Sequence, residues 1–287
     1  MSNWVHRRRV GVFRGGENHS FARSMEAGGS VVASLKSRDD IELFDIQLSP
    51  QGEWLLWGVS TNPASVLPNL DYAFVTLHDA YGEGGQIQRM MEQYGVRYAG
   101  TKPLSSALAY HKVFSKDTLR NHLGIKTAPH LHVKSADRDF HKLERVLASL
   151  FSPAYIVKPV RGSGAVDFFY AEDNNSLRNV LDEIFERYDE VLVEQFIPGS
   201  DASCYLVRDF RDNESYTTPV VEVTASGKHL APATFDRNVK DEIEAITKDV
   251  HDVLGLGHIS KSDFRVTPEG NVYFLEVNTV PDLSANS

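Results

Sequence analysis

The sequence predicts a mixed fold, with α/β organisation in its first part and α+β organisation in its second. Over the first hundred residues, short apolar runs alternate with helical patterns and turn signals, which favours a parallel sheet with helical crossovers. From Tyr155 onward the predicted strands are grouped and the helices stand apart, as is typical of α+β packing. These changes predict three units, residues 1–100, 101–187 and 188–287, with boundaries near Gly100 and Arg187.

The first unit is predicted to have a Rossmann-like architecture. Its strands are RRVGVFRGG, IELFDIQL and YAFVTLH, and a helix is predicted around Ala22 to Leu35. The segment RGGEN follows the first strand, but it lacks the full GxGxxG spacing of a dinucleotide-binding loop. A dinucleotide site is therefore only weakly indicated.

Two helical segments follow. The first has apolar residues at helical spacing, which are Ile87, Met90, Met91 and Tyr94. The second, PLSSALAYHKVFSKDTLRNHLG, reads as one helical stretch that ends at Gly124. Lys112 and Lys116 lie four residues apart in it and therefore share a helix face. A solvated helix face is the simplest explanation of both lysines.

Strands dominate the rest of the chain. They are predicted in YIVKPV, EVLVEQF, SCYLVRDF and PVVEVT. Helices are predicted near Ser176 to Tyr188 and near Val239 to Leu254, and the second of them precedes a final hairpin, DFRVTPEGNVYFLEVN. This grouping is the basis for the α+β prediction.

The composition disfavours several classes of protein. The 287 residues are 41% hydrophobic and 24% charged, as in ordinary globular proteins. A net charge of −9 disfavours a nucleic-acid partner, because the surface as a whole should repel phosphate. The chain lacks a run of the roughly 18 apolar residues of a membrane helix, and no apolar signal-peptide segment follows its N-terminal basic triplet. We therefore expect a cytoplasmic protein without a membrane partner.

Cysteine and histidine indicate no site of their own. The single cysteine, Cys204, excludes an internal disulfide or a multi-cysteine zinc site, and it is expected to be a small buried residue. The histidines have no HExxH spacing, so His130 and His132 are expected on the surface or in packing. A GxSxG motif for a serine nucleophile is also absent from the sequence.

The final hairpin places polar side chains on one face. Successive side chains of a strand point to opposite faces, so Glu276 and Asn278 share a face with Phe274. With a turn at residues 268–269, Asp263 lies opposite Phe274 and is the diagonal neighbour of Glu276. Both carboxylates could then reach one point.

Two interpretations of this face remain open. Clustered carboxylates repel one another unless a cation neutralises them, and the oxygens of Asp, Glu and Asn suit Mg²⁺. However, Lys261 and Arg265 occupy the same face and could pair with the acids. The hairpin alone does not choose between a metal site and salt bridges.

Two other segments could contact a nucleotide. In IVKPVRGSGAV, Lys158 leaves a strand before a glycine-rich turn, where its charge and the glycine amides could both meet phosphate. The GxxxxGK[ST] pattern of a P-loop is absent. In VLVEQFIPGSDAS, Glu194 closes an apolar strand and Asp201 follows a Pro-Gly turn, an arrangement able to bind a base edge and a ribose hydroxyl. A solvated strand end explains the second segment equally well.

Taken in order, these segments resemble the ATP-grasp superfamily and, within it, the D-alanine–D-alanine ligases. The resemblance extends from Arg9 to Ser287, and its most specific stretches are LHDAYGEGGQIQRMMEQYGVRYAG, SSALAYHKVFSK, IVKP, VLVEQFIPG and SDFRVTPEGNVYFLEVNTVP. It implies an ATP-grasp fold with a Rossmann-like N-terminal substrate domain. ATP would lie between a central and a C-terminal ATP-grasp subdomain, the latter carrying the metal site. A homodimer is the family's usual form.

The resemblance also implies roles for individual residues. Those implied to contact ATP are Lys112 and Lys158 at the phosphates, Glu194 with the backbone of Gln195 and Ile197 at the adenine, and Asp201 at the ribose. The implied ligands of two Mg²⁺ ions, for which Mn²⁺ could substitute, are Asp263, Glu276 and Asn278.

The implied reaction joins two D-alanines for peptidoglycan precursor synthesis. The carboxylate of one attacks the γ-phosphate of ATP to give an acyl phosphate, which the amine of the second then attacks. Another carboxylate–amine ligase of the superfamily, or a nucleotide-binding protein without ligase activity, are the alternatives.

The implied catalytic set departs from the family pattern. Lys261 stands where the family has an arginine, and it lacks the planar fork of a guanidinium. Ser20 aligns with the glutamate that receives the first substrate's ammonium, a charge that Glu17 of the same loop could supply. His78 matches the family's histidine beside the substrates, and Ser163 lies in a glycine-rich loop about one residue shorter than usual.

Further departures lie at the amino-acid end. Asp282 stands where the family has glycine, and the mobile loop with its tyrosine is deleted within TASGKHLAPATF. Ser287 aligns with a serine that contacts the second substrate's carboxylate, and the family's final helix is not present after it. Nucleotide binding is therefore better supported than specificity for the dipeptide.

Overall fold

In the part of the chain that the structure describes, three β-sheets follow one another, each accompanied by helices. The computed structural model describes residues 7–137, 139–162, 167–211, 213–224 and 227–283. Each sheet has its own apolar cluster of buried side chains. Among the described helices, none is long and apolar enough to cross a membrane.

The first sheet is mainly parallel, in the order β4-β3-β2-β1-β5-β6. Its strands are β1 (Arg8–Gly15), β2 (Ile41–Leu48), β3 (Trp54–Leu56), β4 (Val59–Thr61), β5 (Tyr72–Val75) and β6 (Arg97–Ala99). Its helices are α1 (Asn18–Lys36), α2 (Pro63–Val66) and α3 (Gln86–Gln93). β1 pairs in parallel with β2 and β5, while β3 and β4 form an antiparallel extension. The predicted Rossmann-like architecture is confirmed.

The second sheet is antiparallel, in the order β7-β10-β8-β9. Its strands are β7 (His130–Lys134), β8 (Tyr155–Pro159), β9 (Phe169–Ala171) and β10 (Glu190–Gln195). The helices of this region are α4 (Pro103–Tyr110), α5 (Lys112–Leu123), α6 (Phe140–Leu150) and α7 (Asn174–Ile184). Because β10 follows the boundary predicted near Arg187 yet pairs with β7 and β8, a unit containing this whole sheet extends to Gln195.

The third sheet has the order β14-β13-β11-β15-β16, with β12 paired to β11. Its elements are β11 (Ser200–Phe210), β12 (Asn213–Thr217), β13 (Val221–Val223), β14 (His229–Leu230), α8 (Arg237–Val253), β15 (Ile259–Val266) and β16 (Val272–Asn278). Cys204 is fully buried in this core, as predicted. Mixed packing of this kind agrees with the predicted α+β second part.

The helical stretch predicted to end at Gly124 is broken in two at His111. The backbone of His111 is extended, with φ −89° and ψ 96°, and its Nδ1 accepts the Phe114 N–H as the N-cap of α5. The backbone N–H of Lys112 donates to Val160 O at 2.9 Å, which ties the start of α5 to the end of β8. Gly124 ends α5 in the left-handed conformation. The break directs the first turn of α5 towards the second sheet.

The register of the final hairpin differs from the prediction. Its turn spans residues 267–271 and places Val266 opposite Val272, and a bulge between Asp263 and Phe264 shifts the pairing again. Asp263 therefore lies directly opposite Glu276 rather than diagonal to it. The expected diagonal pairing was wrong, because neither the longer turn nor the bulge was visible in the sequence.

The turn between β10 and β11 depends on Gly199. Its φ is +153°, and a Cβ atom there would lie 2.1 Å from Val266 O. A side chain at this position would therefore collide with the backbone of β15.

We predict that Gly199→Ala lowers the free energy of unfolding by about 2 kcal/mol or more, measured by urea denaturation. Gly52→Ala is the control, since Gly52 also has positive φ but no atom within 4 Å of its Cβ position. Equal losses in the two variants would contradict the role of the close approach.

Candidate active site

A cleft of about 1060 Å³ is lined by residues of all three sheet regions. The predicted site residues that line it are Glu17, Lys112, Lys158, Glu194, Gln195, Ile197, Asp201, Lys261, Asp263, Glu276 and Asn278. Ser20 and His78 are buried and are not among the lining residues. Ser163 and Ser287 lie outside the described residues. Residues far apart in sequence thus meet around one cleft.

Buried charges form the floor of the cleft. Glu194 Oε1 lies 2.8 Å from Lys116 Nζ, and Glu194 Oε2 lies 2.8 Å from Lys158 Nζ. The side chains of Lys116 and Glu194 are 0% and 3% exposed. A solvated helix face for Lys112 and Lys116 was therefore the wrong interpretation, and so was a solvated strand end for Glu194.

The ionisation of this cluster follows from burial and pairing. Burial by itself raises the pKa of Glu194, but Lys116 and Lys158 outweigh it and lower the pKa to about 2. Burial lowers the pKa of Lys116 to about 8, against the opposing effect of Glu194. At neutral pH the cluster therefore contains a carboxylate and two ammonium groups. Lys116 also donates to Phe274 O at 3.2 Å, which fixes it to β16.

The remaining predicted nucleotide contacts lie along the edge of the cleft. Gln195 N–H donates to Pro129 O at 2.9 Å, and Ile197 O accepts from Arg265 Nε at 2.9 Å. Arg265 Nη1 also donates to Asp201 at 2.7 Å. Arg265 therefore pairs with Asp201 and not with the acids of the hairpin.

The hairpin acids lie beside two lysines. Lys261 Nζ is 2.8 Å from Asp263 Oδ1, and Asn278 Nδ2 donates to Asp263 Oδ2 at 3.1 Å. Lys112 Nζ is 3.3 Å from Glu276 Oε2. Burial raises the pKa of Asp263, and the nearby Glu276 adds to this rise. Burial also acts to raise the pKa of Glu276, but Lys112 and Lys158 outweigh it and lower that pKa.

The chemistry of these donors fits Mg²⁺. Two carboxylates directly opposite one another, with an amide beside them, supply the oxygen ligands that Mg²⁺ takes from proteins, and water and phosphate complete its shell. Among the described residues, no group of three or more His, Cys, Asp or Glu side chains could hold a metal ion. A site here would therefore depend on the amide of Asn278 and on substrate oxygens.

The other end of the cleft carries the N-terminal part of α1. Glu17 precedes α1, and its N–H donates to Asp79 Oδ2 at 2.9 Å. Ser20 Oγ donates to Glu17 O at 3.3 Å, so Ser20 supports the turn that carries Glu17. Arg23, one turn further on, lies 3.2 Å from Asp282 through its Nε. Glu17, Arg23 and Asp282 all line the cleft.

His78 is buried behind this end of the cleft. Its side chain contacts Val280 O through Nδ1 at 2.9 Å. Burial lowers its pKa to about 4, and the charge of Arg23 acts in the same direction. The imidazole is therefore neutral at pH 7. The structure places it against the segment after β16.

Sequence reasoning missed three features of the site. Lys116 carried only the signal of its spacing from Lys112, which also fits a solvated face. The pairing of Arg23 with Asp282 had no sequence signal, because α1 and the segment after β16 meet only in the fold. The aromatic lining of the cleft was missed as well; its members are Tyr110, Phe168, Tyr170, Tyr188, Phe196 and Tyr205.

The segment with the implied loop deletion is described in part. β13 and β14 form a short antiparallel pair, and Thr224 N–H donates to Lys228 O at 3.0 Å. Residues 225 and 226 lie outside the described residues.

Comparisons with known proteins agree with the order of the motifs. The family model described as "D-ala D-ala ligase C-terminus" matches residues 119–287. The D-alanine–D-alanine ligase of Pelobacter propionicus is 30% identical, and the match covers 99% of this chain and 89% of that protein. The chain belongs to the D-alanine–D-alanine ligase family. The predicted class of ATP-dependent carboxylate–amine ligase is thereby confirmed.

Solved structures show that the fold is that of the D-alanine–D-alanine ligase family. The D-Ala:D-Ser ligase VanG from Enterococcus faecalis has a TM-score of 0.84 at 21% identity, covering 98% of this chain and 92% of that chain. A D-alanine–D-alanine ligase from Bacillus anthracis, solved in complex with ATP, has a TM-score of 0.80 at 23% identity, with coverages of 98% and 88%. The predicted ATP-grasp fold is confirmed.

The buried cluster provides a first test within this family member. We predict that Lys116→Met lowers the free energy of unfolding by about 3 kcal/mol or more, because Glu194 loses one of two buried partners. Nucleotide affinity should fall as well, since Lys158 is then the main partner of Glu194. Lys126→Met is the control, because Lys126 is exposed. Urea denaturation and calorimetric titration with ATP measure the two effects, and losses no larger than those of the control would contradict the prediction.

The buried histidine predicts a dependence of stability on pH. His78 has a pKa near 4 in the folded state, against about 6.5 in an unfolded chain. As pH falls below 6.5 only the unfolded state takes up the proton, so stability is complete above that pH and is lost progressively down to about pH 4, by at most about 3 kcal/mol. Denaturation of His78→Gln between pH 7 and 4 should show a shallower decline than wild type. His141→Gln, whose side chain is 87% exposed in the wild type, should show the wild-type slope.

Proposed function

We propose that this protein joins two D-alanines in an ATP-dependent reaction that proceeds through an acyl phosphate, for peptidoglycan precursor synthesis. The observation that carries the proposal is a single cleft with two chemical ends. One end combines lysines with opposed carboxylates, which suits phosphoryl transfer, and the other combines Glu17, Arg23 and Asp282, which suits amino acids. Family membership supports the same reaction.

ATP is proposed to bind at the lysine end. Lys112 and Lys158 would stabilise the charge of the phosphates, in the way that fixed cations stabilise a transferred phosphoryl group. The rings of Tyr170 and Phe196, whose centroids lie 5.3 Å apart, give a surface for the adenine, and Asp201 lines the cleft for the ribose. The family member from Bacillus anthracis was solved with ATP, which supports this nucleotide.

Asp263, Glu276 and Asn278 are proposed to hold Mg²⁺, with two ions expected and Mn²⁺ as a substitute. The metal would neutralise charge on the phosphates and help to orient them. The lysines that now pair with the two acids could then interact with phosphate oxygens. Pairing with Lys112 would keep Glu276 ionised in the absence of metal, whereas Lys261 only opposes the rise that burial causes in the pKa of Asp263.

The chemistry needs no protein nucleophile. The carboxylate of the first amino acid attacks the γ-phosphate, ADP leaves, and the amine of the second amino acid attacks the acyl carbon and displaces phosphate. The residues of this chain bind and orient the substrates and balance their charge. Glu17 is proposed to receive the first amino acid's ammonium, and Ser20 to support Glu17.

We propose further that the enzyme acts in the cytoplasm as a homodimer on small-molecule amino acids, without a nucleic-acid or membrane partner. Of the three units that the sequence pattern predicts, residues 1–100, 101–187 and 188–287, the second would extend to Gln195 so that it contains the whole second sheet. Lys261, His78 and Ser163 are proposed to act at the amino-acid end.

A second candidate is ligation of D-alanine to an amine other than D-alanine. Asp282 changes the charge at the amino-acid end of the cleft and is bonded to Arg23. The structural neighbour from Enterococcus faecalis is a D-Ala:D-Ser ligase. D-Serine is therefore a necessary competitor in any assay, and D-lactate, which has a hydroxyl in place of the amine, tests whether the acceptor must be an amine.

The proposed activity is tested by phosphate release and dipeptide formation with ATP, Mg²⁺ and D-alanine, with L-alanine, D-serine and D-lactate in parallel. We predict turnover with D-alanine and a loss of about 100-fold or more in Glu276→Gln, because removal of a charged ligand weakens both metal and phosphate binding. Glu214→Gln is the control, since Glu214 is an exposed residue of β12.

Turnover confined to another amine would shift the function to the second candidate. Equal turnover by Glu276→Gln and wild type would contradict the metal assignment. Absence of nucleotide binding in calorimetric titration with Mg²⁺ would contradict the proposed function as a whole.

A further inference from the structure

We infer that Arg23, positioned by Asp282, binds the carboxylate of the second amino acid, whose amine attacks the acyl phosphate. The inference deepens the proposed function and depends on it, since it assigns a specificity-determining residue to the same cleft. It begins from a contact between two segments distant in sequence, the first turns of α1 and the segment after β16.

Among the residues that the structure describes, the Arg23 guanidinium forms an ion pair with Asp282 alone, and it does so through one edge. Its Nε lies 3.2 Å from Asp282 Oδ2, and the two terminal nitrogens of a guanidinium carry four further N–H donors in a planar fork. The Arg23 side chain is 43% exposed, and both residues line the cleft. This fork matches the two oxygens of a carboxylate, which is the group that every α-amino acid presents.

Asp282 is suited to positioning rather than to binding an anion. Its side chain is 19% exposed, and Tyr205 Oη donates to its backbone carbonyl at 3.4 Å, which holds the segment against β11. A carboxylate on one edge of a guanidinium fixes its plane. The acid at position 282 therefore has a physical role where the resemblance led us to expect glycine.

Three other cations of the cleft are each paired with a carboxylate other than Asp282. Lys261 lies 2.8 Å from Asp263, Lys112 lies 3.3 Å from Glu276, and Arg265 binds Asp201. The charge of each of these three cations is therefore already balanced in part by an acid of the third sheet. Arg23 is a cation on the opposite wall, on the same helix that Glu17 precedes.

The choice between the two amino acids follows from the reaction. The first amino acid loses its free carboxylate when it is phosphorylated, and that carboxylate must face the phosphate end. The second amino acid keeps its carboxylate throughout the reaction. A fixed guanidinium away from the lysine cluster can therefore bind this carboxylate from the time the substrate binds until the product forms. Arg23 is accordingly assigned to the second amino acid.

The alternative explanation is that the Arg23–Asp282 ion pair has a structural role alone and joins α1 to the segment after β16. Exposed ion pairs contribute about 0–1 kcal/mol, so such a bridge would be weak. A purely structural ion pair would also leave the preference among second substrates unchanged, whereas carboxylate binding discriminates between an amino acid and its amide. The acceptor preference therefore distinguishes the two explanations.

The test is a competition between D-alanine and D-alaninamide as acceptors in the presence of ATP and Mg²⁺. The amide has an amine but no carboxylate, and it cannot serve as the phosphorylated partner. Mass spectrometry at low conversion gives the ratio of dipeptide to dipeptide amide, which reports the relative kcat/KM of the two acceptors. The different amine basicities affect every variant equally and cancel in the comparison.

We expect wild type to favour D-alanine and Arg23→Met to lower the product ratio by about tenfold or more, since a charge-assisted bidentate contact is lost. Arg23→Lys should fall between them, because it retains charge without the fork. Asp282→Asn should lower the ratio less than Arg23→Met. Arg38→Met is the matched control, as Arg38 forms an exposed pair with Asp40 just after α1, and its ratio should equal that of wild type.

An unchanged product ratio in Arg23→Met, even at reduced total turnover, would overturn the inference and leave the bridge as the explanation. The inference would also be overturned if Arg23→Met discriminated against D-alaninamide as strongly as wild type does. If wild type forms neither the dipeptide nor the dipeptide amide, the proposed function is refuted, and the inference with it. The two failures are therefore distinguishable.

Discussion

In the protein interior, each carboxylate oxygen of Glu194 lies beside the ammonium group of a lysine, and much of the active site depends on this arrangement. Lys116 comes from α5, Lys158 from β8 and Glu194 from β10, so one ionised group connects three elements. A buried charge without a partner is costly, whereas a fully paired one is tolerated. The cluster therefore fixes the relative positions of the helix and the second sheet, and with them the cleft floor.

This constraint extends to the third sheet. Lys116 also donates to the backbone of Phe274 on β16, the strand that carries Glu276. The direct opposition of Asp263 and Glu276 then places a second acidic group beside Lys112. The neighbouring lysines lower the pKa values of Glu194 and Glu276 and so keep these two carboxylates ionised, which suits a site that must bind phosphates and a divalent metal.

The break at His111 shows how local structure serves the same purpose. A continuous helix through this segment would satisfy the apolar pattern, yet the extended residue lets Lys112 begin a new helix bonded to the end of β8. Both lysines of α5 are buried as a result. Helical spacing correctly predicted that the two lysines share a face, but it could not predict that this face would contact Glu194 and Glu276.

The amino-acid sequence by itself determined the alternation of strands and helices, the Rossmann-like first unit, and the order of segments that resembles the ligase family. These features are local, since period and turn residues are set by neighbouring positions. Only the tertiary structure decided which charges meet: Lys116 with Glu194, Arg23 with Asp282, and Asp263 opposite Glu276. The reason is that such contacts depend on a bulge, a helix break and the approach of distant segments, none of which has a periodic signal in the sequence.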